Sequence, residues 1–272
     1  DALTALEMGC SVGTFSASLC RHLSDATMEA LRSPLADPAM RRLYVSLDLL
    51  DVSGVALHAA SLSLQAPFHV GTLHRGTLTS FVPPRDAAML ASSAANSSDG
   101  ESVMDANGGA DGIGYDIVYS VHGFATCPRS KIHLALRNFR ASLRPGGLGF
   151  IAAATEQSHD AKFSLMYHAE RRKRLGAPQG EIPRMTSAED ICDALSAQGV
   201  SYNVEVKSHE TIVDVTDGLE SLESYLHGVV MDDSLSLDTM MTSNSLGAYL
   251  SSCMSSDGSS YTFPQRVAHV TL

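Results

Sequence analysis

The sequence lacks closely spaced cysteines and long apolar runs. Its five cysteines are scattered over 272 residues, with no CxxC pair and no histidine at metal-ligand spacing. We therefore predict no metal site and a reducing compartment, the cytoplasm. No apolar stretch approaches the roughly 18 residues that a membrane-spanning helix requires. The first residues also do not show the basic and then apolar pattern of a signal peptide.

Positive charge is also scarce in this chain. It carries 19 Lys and Arg residues against 30 Asp and Glu residues, a formal net charge of −11 at pH 7. Such a field repels phosphate backbones and anionic membrane surfaces, so we predict neither a nucleic acid nor a membrane as partner. The one basic cluster, residues 171–174, lies in a helical pattern and is interpreted as a solvated helix face. A neutral or cationic small molecule is a more suitable partner for a protein with this negative net charge.

Short apolar runs alternate with helical patterns in the first part of the chain. The whole sequence is 44% hydrophobic and 18% charged, which is ordinary for a protein with a substantial core. Strands are predicted at 3–8, 43–50, 68–73, 115–120 and 148–153, and helices at 14–31, 52–64 and 129–143. This β-α-β alternation predicts a doubly wound α/β fold, with a mostly parallel sheet and helices on both faces.

The second part of the chain continues this pattern. Helices are predicted at 161–175, 187–198, 219–229 and 240–254, and strands at 200–206, 209–215 and 266–272. Residues 91–114 are rich in Ser, Ala, Asn, Asp and Gly, which predicts a flexible surface insertion. Because such a segment decorates a domain without dividing it, we interpret residues 1–272 as a single domain.

The sequence of the turn after the first predicted strand distinguishes between the common nucleotide-binding motifs. Its pattern is Glu7-x-Gly9-x-x-x-Gly13. A phosphate-binding loop requires Gly-Lys followed by Ser or Thr, and this is absent. A dinucleotide-binding turn requires GxGxxG, and here the second glycine of that motif is missing. NAD binding is therefore the weaker interpretation of this turn.

Residues 5–16, Ala-Leu-Glu-Met-Gly-Cys-Ser-Val-Gly-Thr-Phe-Ser, resemble the first motif of class I S-adenosylmethionine-dependent methyltransferases. The usual form of that motif is Leu-Glu-Ile-Gly-Cys-Gly-Thr-Gly, so Ser11 replaces a frequent glycine. The resemblance implies that Glu7 contacts the amino-acid end of the cofactor, directly or through water. It also implies that the backbone of the turn approaches the cofactor closely at Gly9, Cys10, Ser11 and Gly13.

Two further segments resemble the same family. Residues 51–60 are similar to its second motif. The similarity implies that Asp51 accepts hydrogen bonds from the ribose hydroxyls of the cofactor and that Val52 lies beside the ribose. Asp48 is the alternative acid for this contact. Residues 115–122 and the Leu-Arg-Pro-Gly-Gly turn at 143–147 are similar to the family's fourth strand and the turn into its fifth. The resemblance covers about residues 3–155 and implies a seven-stranded, Rossmann-like sheet.

The resemblance implies further contacts to S-adenosylmethionine, with S-adenosylhomocysteine as product. Ser120 and Val121 follow the fourth strand and are expected at the cofactor. The loop around Thr77 and Leu78 is expected near the adenine, although the acidic residue usual there is missing. In open α/β sheets, ligands bind at the carboxyl ends of strands where the strand order reverses, and these segments lie at such positions.

A weaker resemblance concerns the methyl acceptor. Residues 115–163 and 185–191 are similar to histamine N-methyltransferase-like small-molecule methyltransferases. This implies an acceptor site with His122, His159 and Phe163, with Tyr167 one helical turn beyond, and acceptor-side elements at about 156–185. The N-terminal segment that supplies an acidic acceptor contact in those enzymes has no counterpart here. His122 is equally well interpreted as a cofactor-loop residue, and His159 and Phe163 as lid packing.

These resemblances predict a methyltransferase that acts on a small molecule. Both N- and O-methylation are open, and N-methylation is favoured. Methyl transfer from a sulfonium is an in-line displacement that mainly requires alignment and exclusion of water, so no catalytic residue is assigned. Two alternatives remain open. One is an inactive binding or regulatory protein with a cofactor fold; the other is a protein or RNA methyltransferase, against which the acidic charge argues.

Overall fold

The computed structural model describes residues 3–32, 45–88, 113–175 and 184–272. Seven strands form one sheet in the order β3-β2-β1-β4-β5-β7-β6. The strands are β1 Leu3–Met8, β2 Val45–Asp51, β3 Phe68–Arg75, β4 Tyr115–Val121, β5 Leu143–Ala154, β6 Asn203–Asp214 and β7 Ser260–Thr271. The α-helices are α1 Thr14–Arg32, α2 Gly54–Ser63, α3 Ile132–Ser142, α4 His159–Leu175, α5 Ala188–Ala197, α6 Glu220–Val230, α7 Leu237–Met241 and α8 Asn244–Cys253. The predicted seven-stranded α/β fold is confirmed.

The strand order reverses at β1. This strand pairs in parallel with β2 on one side and with β4 on the other. The chain continues from β2 to β3 on one side, and β4 pairs in parallel with β5 on the other. The carboxyl ends of β1, β2 and β4 therefore meet at one edge of the sheet, on either side of the reversal. Such a reversal opens a crevice that is the usual ligand position in this architecture.

The last strand, β7, runs antiparallel to β5. Gly149 on β5 and Leu272, just after β7, exchange both backbone hydrogen bonds, with N···O distances of 3.3 and 3.0 Å. A reciprocal pair of this kind is characteristic of antiparallel strands. The sheet is therefore mostly, but not entirely, parallel.

The chain divides into two compact units. The first unit comprises Asp1–Ala152, Asp193–Asn203 and Val270–Leu272, and the second comprises Ala153–Cys192 and Val204–His269. In the first unit, Leu47 and Leu49 of β2 pack with Leu57 and Ala60 of α2 in an apolar core. The core of the second unit is rich in rings and leucines, including Phe163, Tyr167, Leu222, Leu226, Leu250 and Phe263. The single-domain interpretation stays a prediction.

Several predicted boundaries differ from the structure. The two strands predicted at 200–206 and 209–215 are one strand, β6, since the polar residues between them continue an exposed strand at the sheet edge. The single helix predicted at 240–254 is two helices, α7 and α8, and capping explains the start of the first. The Ser236 hydroxyl accepts a hydrogen bond from the Thr239 N–H at 3.3 Å and so caps α7.

Two loop predictions have different outcomes. The turn predicted at 143–147 lies inside β5 as an irregularity, where the pairing register shifts and Gly146 has a φ of +75°. The insertion predicted at 91–114 falls outside the described residues, except for positions 113 and 114. Among the helices of the described ranges, none combines the length and apolar character needed to cross a membrane.

Candidate functional site

The turn between β1 and α1 has an unusual backbone. Gly9 and Gly13 both have a φ of +78°, and Ser11 between them has a φ of +50°. A Cβ on Gly9 would lie 2.7 Å from the Cα of Gly123, and one on Gly13 would lie 2.7 Å from the Cα of Ala60. Both positions therefore require glycine for conformation and for space. The sequence analysis identified these glycines but not Gly123, which follows β4 and is close to Gly9 only in the folded chain.

Hydrogen bonds fasten this turn to the end of β2. The N–H groups of Gly9 and Cys10 donate to the carbonyl oxygen of Leu50, at 2.8 and 3.2 Å. The carboxylate of Asp51 accepts from the N–H of Ser11 at 2.9 Å and from the N–H of Ser53 at 2.9 Å. Asp51 thus lies at the sheet edge with both oxygens directed at backbone amides of two neighbouring loops.

The alternative acid, Asp48, has a different environment. Its carboxylate accepts from the Tyr115 hydroxyl at 2.6 Å and from the Thr72 N–H at 2.7 Å, and it lies 3.2 Å from the His74 Nε2. Burial acts to raise the pKa of Asp48, but the hydrogen bonds from His74, Tyr115 and Thr72 outweigh it, so the pKa is lowered. Asp48 therefore joins β2, β3 and β4, whereas Asp51 faces the edge.

Glu7 is buried below the turn. Only 1% of the residue is exposed, and its carboxylate accepts a hydrogen bond from the Ser16 hydroxyl, which lies 2.8 Å from the Tyr119 hydroxyl. Burial raises the pKa of Glu7 to about 7, although the hydrogen bonds from Ser16 and Tyr119 act in the opposite direction. The sequence analysis missed Ser16 and Tyr119, because only the fold brings α1 and β4 to this carboxyl group.

Cys10 is a packed residue of the same turn. Its side chain is buried, and its thiol donates a hydrogen bond to the Ser11 carbonyl oxygen at 3.5 Å. Burial, with smaller contributions from the charges of Glu7 and Asp51, raises the pKa of the Cys10 thiol to about 12. The thiol therefore stays neutral at physiological pH and is a poor nucleophile.

The end of β4 contributes the third segment of this edge. Ser120 is fully buried, and its hydroxyl donates to the Met8 carbonyl oxygen at 2.7 Å, while Val121 is half-buried. His122 has a φ of +57°, an exposed side chain, and an N–H that donates to the Ala152 carbonyl oxygen at 2.8 Å. This left-handed conformation ends the strand and presents the imidazole at the sheet edge.

The loop after β3 lies beside an open cavity. The Leu78 side chain is buried, and the Leu78 carbonyl oxygen accepts a hydrogen bond from the Asn138 amide at 3.0 Å. Thr77 is exposed, and its hydroxyl accepts a hydrogen bond from the Ser80 N–H at 3.0 Å. The cavity has a volume of about 350 Å³ and is lined by Leu50, Leu73, His74, Arg75, Gly76, Ser80, Phe81 and Val82. Val52, after Asp51, exposes 58% of its surface.

Three predicted acceptor residues lie together in the core of the second unit. His159, Phe163 and Tyr167 are completely buried, and the rings of His159 and Phe163 stack at a centroid distance of 5.4 Å. The Tyr167 hydroxyl donates to the Asp232 carboxylate at 3.0 Å and accepts from the Leu235 N–H at 3.0 Å. All three side chains thus have packing or polar partners inside this unit, and their acceptor role stays a prediction.

His159 has one buried polar atom without a partner in that core. Its Nδ1 lies 2.8 Å from the Tyr249 hydroxyl, but its buried Nε2 has no hydrogen-bond partner among the described residues. Burial lowers the pKa of His159 to about 3, so the imidazole is neutral at physiological pH. Rings of Phe163, Tyr225 and Phe263 surround it at centroid distances between 4.1 and 5.8 Å.

Metal ligands do not cluster in the described part of the chain. Within the four described ranges, no group of three or more His, Cys, Asp or Glu side chains is arranged to hold a metal ion.

Comparison with known proteins addresses the fold. No family model and no curated protein sequence matches the chain. The YcgJ protein from Bacillus subtilis is 12% identical with a TM-score of 0.51, over 99% of this chain and 91% of that chain. A proposed methyltransferase from Bacillus halodurans is 10% identical with a TM-score of 0.50, over 99% of this chain and 91% of that chain. The likeness establishes the fold: the chain has the Rossmann-like α/β fold found in class I methyltransferases.

Proposed function

We propose that this protein binds S-adenosylmethionine at the edge formed by β1, β2 and β4 and transfers its methyl group to a small molecule. The observation that carries the proposal is the β1–α1 turn with positive φ at Gly9, Ser11 and Gly13, held directly against the Asp51 carboxylate. This turn lies at the carboxyl end of β1, where the strand order reverses.

The residues of this edge fit the nucleoside part of the cofactor. An ionised carboxylate has about four acceptor positions, and the Ser11 and Ser53 amides use two of those of Asp51. The remaining capacity suits the two adjacent ribose hydroxyls, which would donate charge-assisted hydrogen bonds. The exposed side chain of Val52 and the nearby cavity offer apolar surface for the adenine beside Thr77 and Leu78.

Glu7 is the proposed partner of the cofactor's amino-acid end. A nearby ammonium group favours the ionised carboxylate and therefore lowers its pKa. Because the Glu7 pKa is about 7 in the free protein, binding at neutral pH should release part of a proton. Glu7 has almost no exposed surface, so an intervening water or a shift of the Ser16 side chain would make this contact.

Methyl transfer requires few side chains beyond this binding site. Bound S-adenosylmethionine supplies an electrophilic methyl group on a sulfonium. The protein's task is then to align the acceptor with that group and to exclude water. We place His122 on the acceptor side, because its exposed imidazole follows β4 directly and a neutral imidazole can accept the proton of an attacking amine. This favours N-methylation of a neutral or cationic small molecule.

The remaining parts of the proposal rest on the family resemblance and on composition. The resemblance also assigns His159, Phe163 and Tyr167 to the acceptor, and their complete burial means that the second unit would have to open to expose them. The five cysteines are all reduced thiols, which supports the proposed cytoplasmic location. The net charge of −11 argues against nucleic acid and membrane partners.

The proposal is tested by titration calorimetry with S-adenosylhomocysteine, with NAD⁺ as the competing nucleotide class. Saturable binding of S-adenosylhomocysteine and none of NAD⁺ is expected. The same titration in buffers of different ionisation enthalpy should report proton release at pH 7. Absence of binding at millimolar S-adenosylhomocysteine would overturn the proposal.

A second assay separates an enzyme from a binding protein. Methyl-labelled S-adenosylmethionine is incubated with the protein and a panel of small amines and phenols, and transfer is measured. The alternative of an inactive cofactor-binding protein is favoured by one observation, the left-handed backbone of Ser11 at a position where this turn usually has glycine. Cofactor binding without transfer to any panel member would support that alternative.

A further inference from the structure

The strand β6 is exposed to an unusual degree. It lies at the end of the sheet, and all its residues from Asn203 to Glu210 are exposed, so neither face of this stretch is covered by the described residues. A strand at a sheet edge presents backbone N–H and C=O groups that lack a strand partner on one side. Such an edge is a template for pairing with another strand.

The side chains of this stretch place valines on one face and charged residues on the other. Val204 and Val206 lie on one face and expose 46% and 45% of their surface. Glu205 and Lys207 lie on the opposite face and form an ion pair with each other. Charged side chains such as lysine often protect a natural edge strand, but Glu205 beside Lys207 makes this edge complementary in charge to a second strand that carries the same pair.

We infer that β6 pairs in antiparallel orientation with β6 of a second copy of this chain, around a twofold axis at Val206. In this register Glu205 lies opposite Lys207 of the second copy, and Lys207 lies opposite Glu205 of the second copy. Val206 then faces Val206 of the second copy, and the two sheets become continuous. The inference concerns assembly and is independent of the proposed function.

Charge selects this register over its neighbours. In an antiparallel pair, two residues directly opposite each other either both direct their backbone N–H and C=O groups toward the partner strand or both direct them away. The register can therefore shift only in steps of two residues. One such shift places Glu205 opposite Glu205, and the other places Lys207 opposite Lys207. Like charges directly opposite are destabilising, whereas opposite charges contribute. The register centred on Val206 is the one that forms two opposite-charge pairs.

Symmetry selects a second copy of β6 over the other edge strand, β3. Pairing of β6 with β3 of another copy would be heterologous, and a heterologous contact gives a ring only if its rotation closes and an open filament otherwise. Pairing of β6 with itself is isologous and stops at the dimer. A discrete dimer is therefore the expected assembly.

Charge reversal tests the pairing. Dimer dissociation is measured by analytical ultracentrifugation for Glu205→Lys, Lys207→Glu and the double variant that carries both. Each single variant should weaken the dimer at least about tenfold, equivalent to about 1.4 kcal/mol, and the double variant should restore it. The control is Glu210→Lys, the same charge change on the same strand, which lies opposite Tyr202 in the proposed register and should have little effect.

Cysteine cross-linking tests the register itself. Val206→Cys places two thiols opposite each other at a Cα separation of about 4.5 to 5.5 Å, within the range that a disulfide spans. Val204→Cys is the matched control, because the two Cys residues would be about 14 Å apart at about 3.4 Å per residue, too far for a disulfide. A disulfide-linked dimer with Val206→Cys and none with Val204→Cys or the unsubstituted chain is expected.

Two results would overturn the inference. One is a monomer at all concentrations, with no cross-link through Val206→Cys. The other is a dimer that neither charge reversal weakens, since such a dimer would use another surface.

Discussion

The backbone N–H of Ser11 donates a 2.9 Å hydrogen bond to the Asp51 carboxylate, across 40 residues of sequence. This bond joins the first turn of the sheet edge to the end of β2. It also holds the carboxylate at the edge of the sheet, where we propose that its remaining acceptor capacity binds the cofactor. The proposed cofactor site depends on this relationship more than on any single side chain.

Asp51→Asn should weaken binding of S-adenosylhomocysteine by about 10- to 100-fold, because an amide offers one acceptor oxygen where the two ribose hydroxyls need two. Asp48→Asn is the matched control and should change the affinity less than about threefold, since its partners are Tyr115, Thr72 and His74. Calorimetric titration of both folded variants measures this. Equal losses would show that the ribose contact is not specific to Asp51.

Gly9→Ala should destabilise the fold by about 2 to 4 kcal/mol, because alanine is strained at positive φ and its Cβ would collide with Gly123. Gly228→Ala provides the control. Gly228 lies in α6 with open space around the Cβ position, and alanine favours helix by about 1 kcal/mol. Urea unfolding should therefore show a lower midpoint for Gly9→Ala and an unchanged or higher midpoint for Gly228→Ala.

Glu7 should make stability fall as the pH rises. Its pKa is about 7 in the folded protein against 4.5 in the unfolded chain, so the folded state holds the proton over that interval. The unfolded state binds fewer protons there, and the free energy of unfolding decreases from about pH 4.5 to about pH 7. The loss is at most about 3 kcal/mol at about 1.36 kcal/mol per pKa unit.

Glu7→Gln isolates this effect. The variant cannot ionise, so its unfolding free energy should lack that decrease when both proteins are compared by urea unfolding across the same pH range. If the difference in unfolding free energy between the two proteins stays constant from pH 4.5 to pH 7.5, the Glu7 carboxyl group is not desolvated.

His159 should have the opposite effect on stability in acid. Its pKa is about 3 in the folded protein against 6.5 in the unfolded chain, so the unfolded state gains a proton first as the pH falls. The stability contributed by the neutral imidazole is therefore present above pH 6.5 and is lost progressively from pH 6.5 toward pH 3. From about pH 4.5 to pH 6.5, the pH dependence of stability that comes from His159 is opposite in sign to that from Glu7. Only comparison with the variants separates the two contributions.

His159→Phe keeps a ring among the surrounding aromatic side chains and removes the titration. Its unfolding free energy should fall less steeply between pH 6.5 and pH 4 than that of the parent chain. His209→Phe is the control, because His209 on β6 is exposed. Parallel pH profiles for the parent and His159→Phe would contradict a neutral, buried His159.

His122→Ala should leave the affinity for S-adenosylhomocysteine within about threefold of the parent value while lowering the rate of methyl transfer. The reason is that an acceptor contact affects turnover and not cofactor binding. Calorimetry and the labelled-methyl assay measure the two quantities separately. A loss of cofactor affinity would instead assign His122 to the cofactor loop, and the acceptor contacts would then be sought around His159, Phe163 and Tyr167.

The local patterns of the sequence were sufficient for most of the fold. Apolar runs and glycine turns predicted β1, the β1–α1 turn and the succession of strands up to β5, since these features depend on neighbours close along the chain. The strand β6 was predicted as two strands because the polar residues Lys207 and Ser208 interrupt its apolar pattern. The irregularity of β5 at Gly146 was likewise predicted only as a turn.

Tertiary structure decided what the candidate site residues contact. The sequence by itself determined that an acid follows the second strand, and it left Asp51 and Asp48 as alternatives. Only the fold shows that Tyr115, Thr72 and His74 engage Asp48, whereas Asp51 meets Ser11. The partners of Glu7 and the contact of Gly9 with Gly123 also come from other elements. Burial and hydrogen bonding set the role of an acid, and both depend on residues that are distant in the sequence.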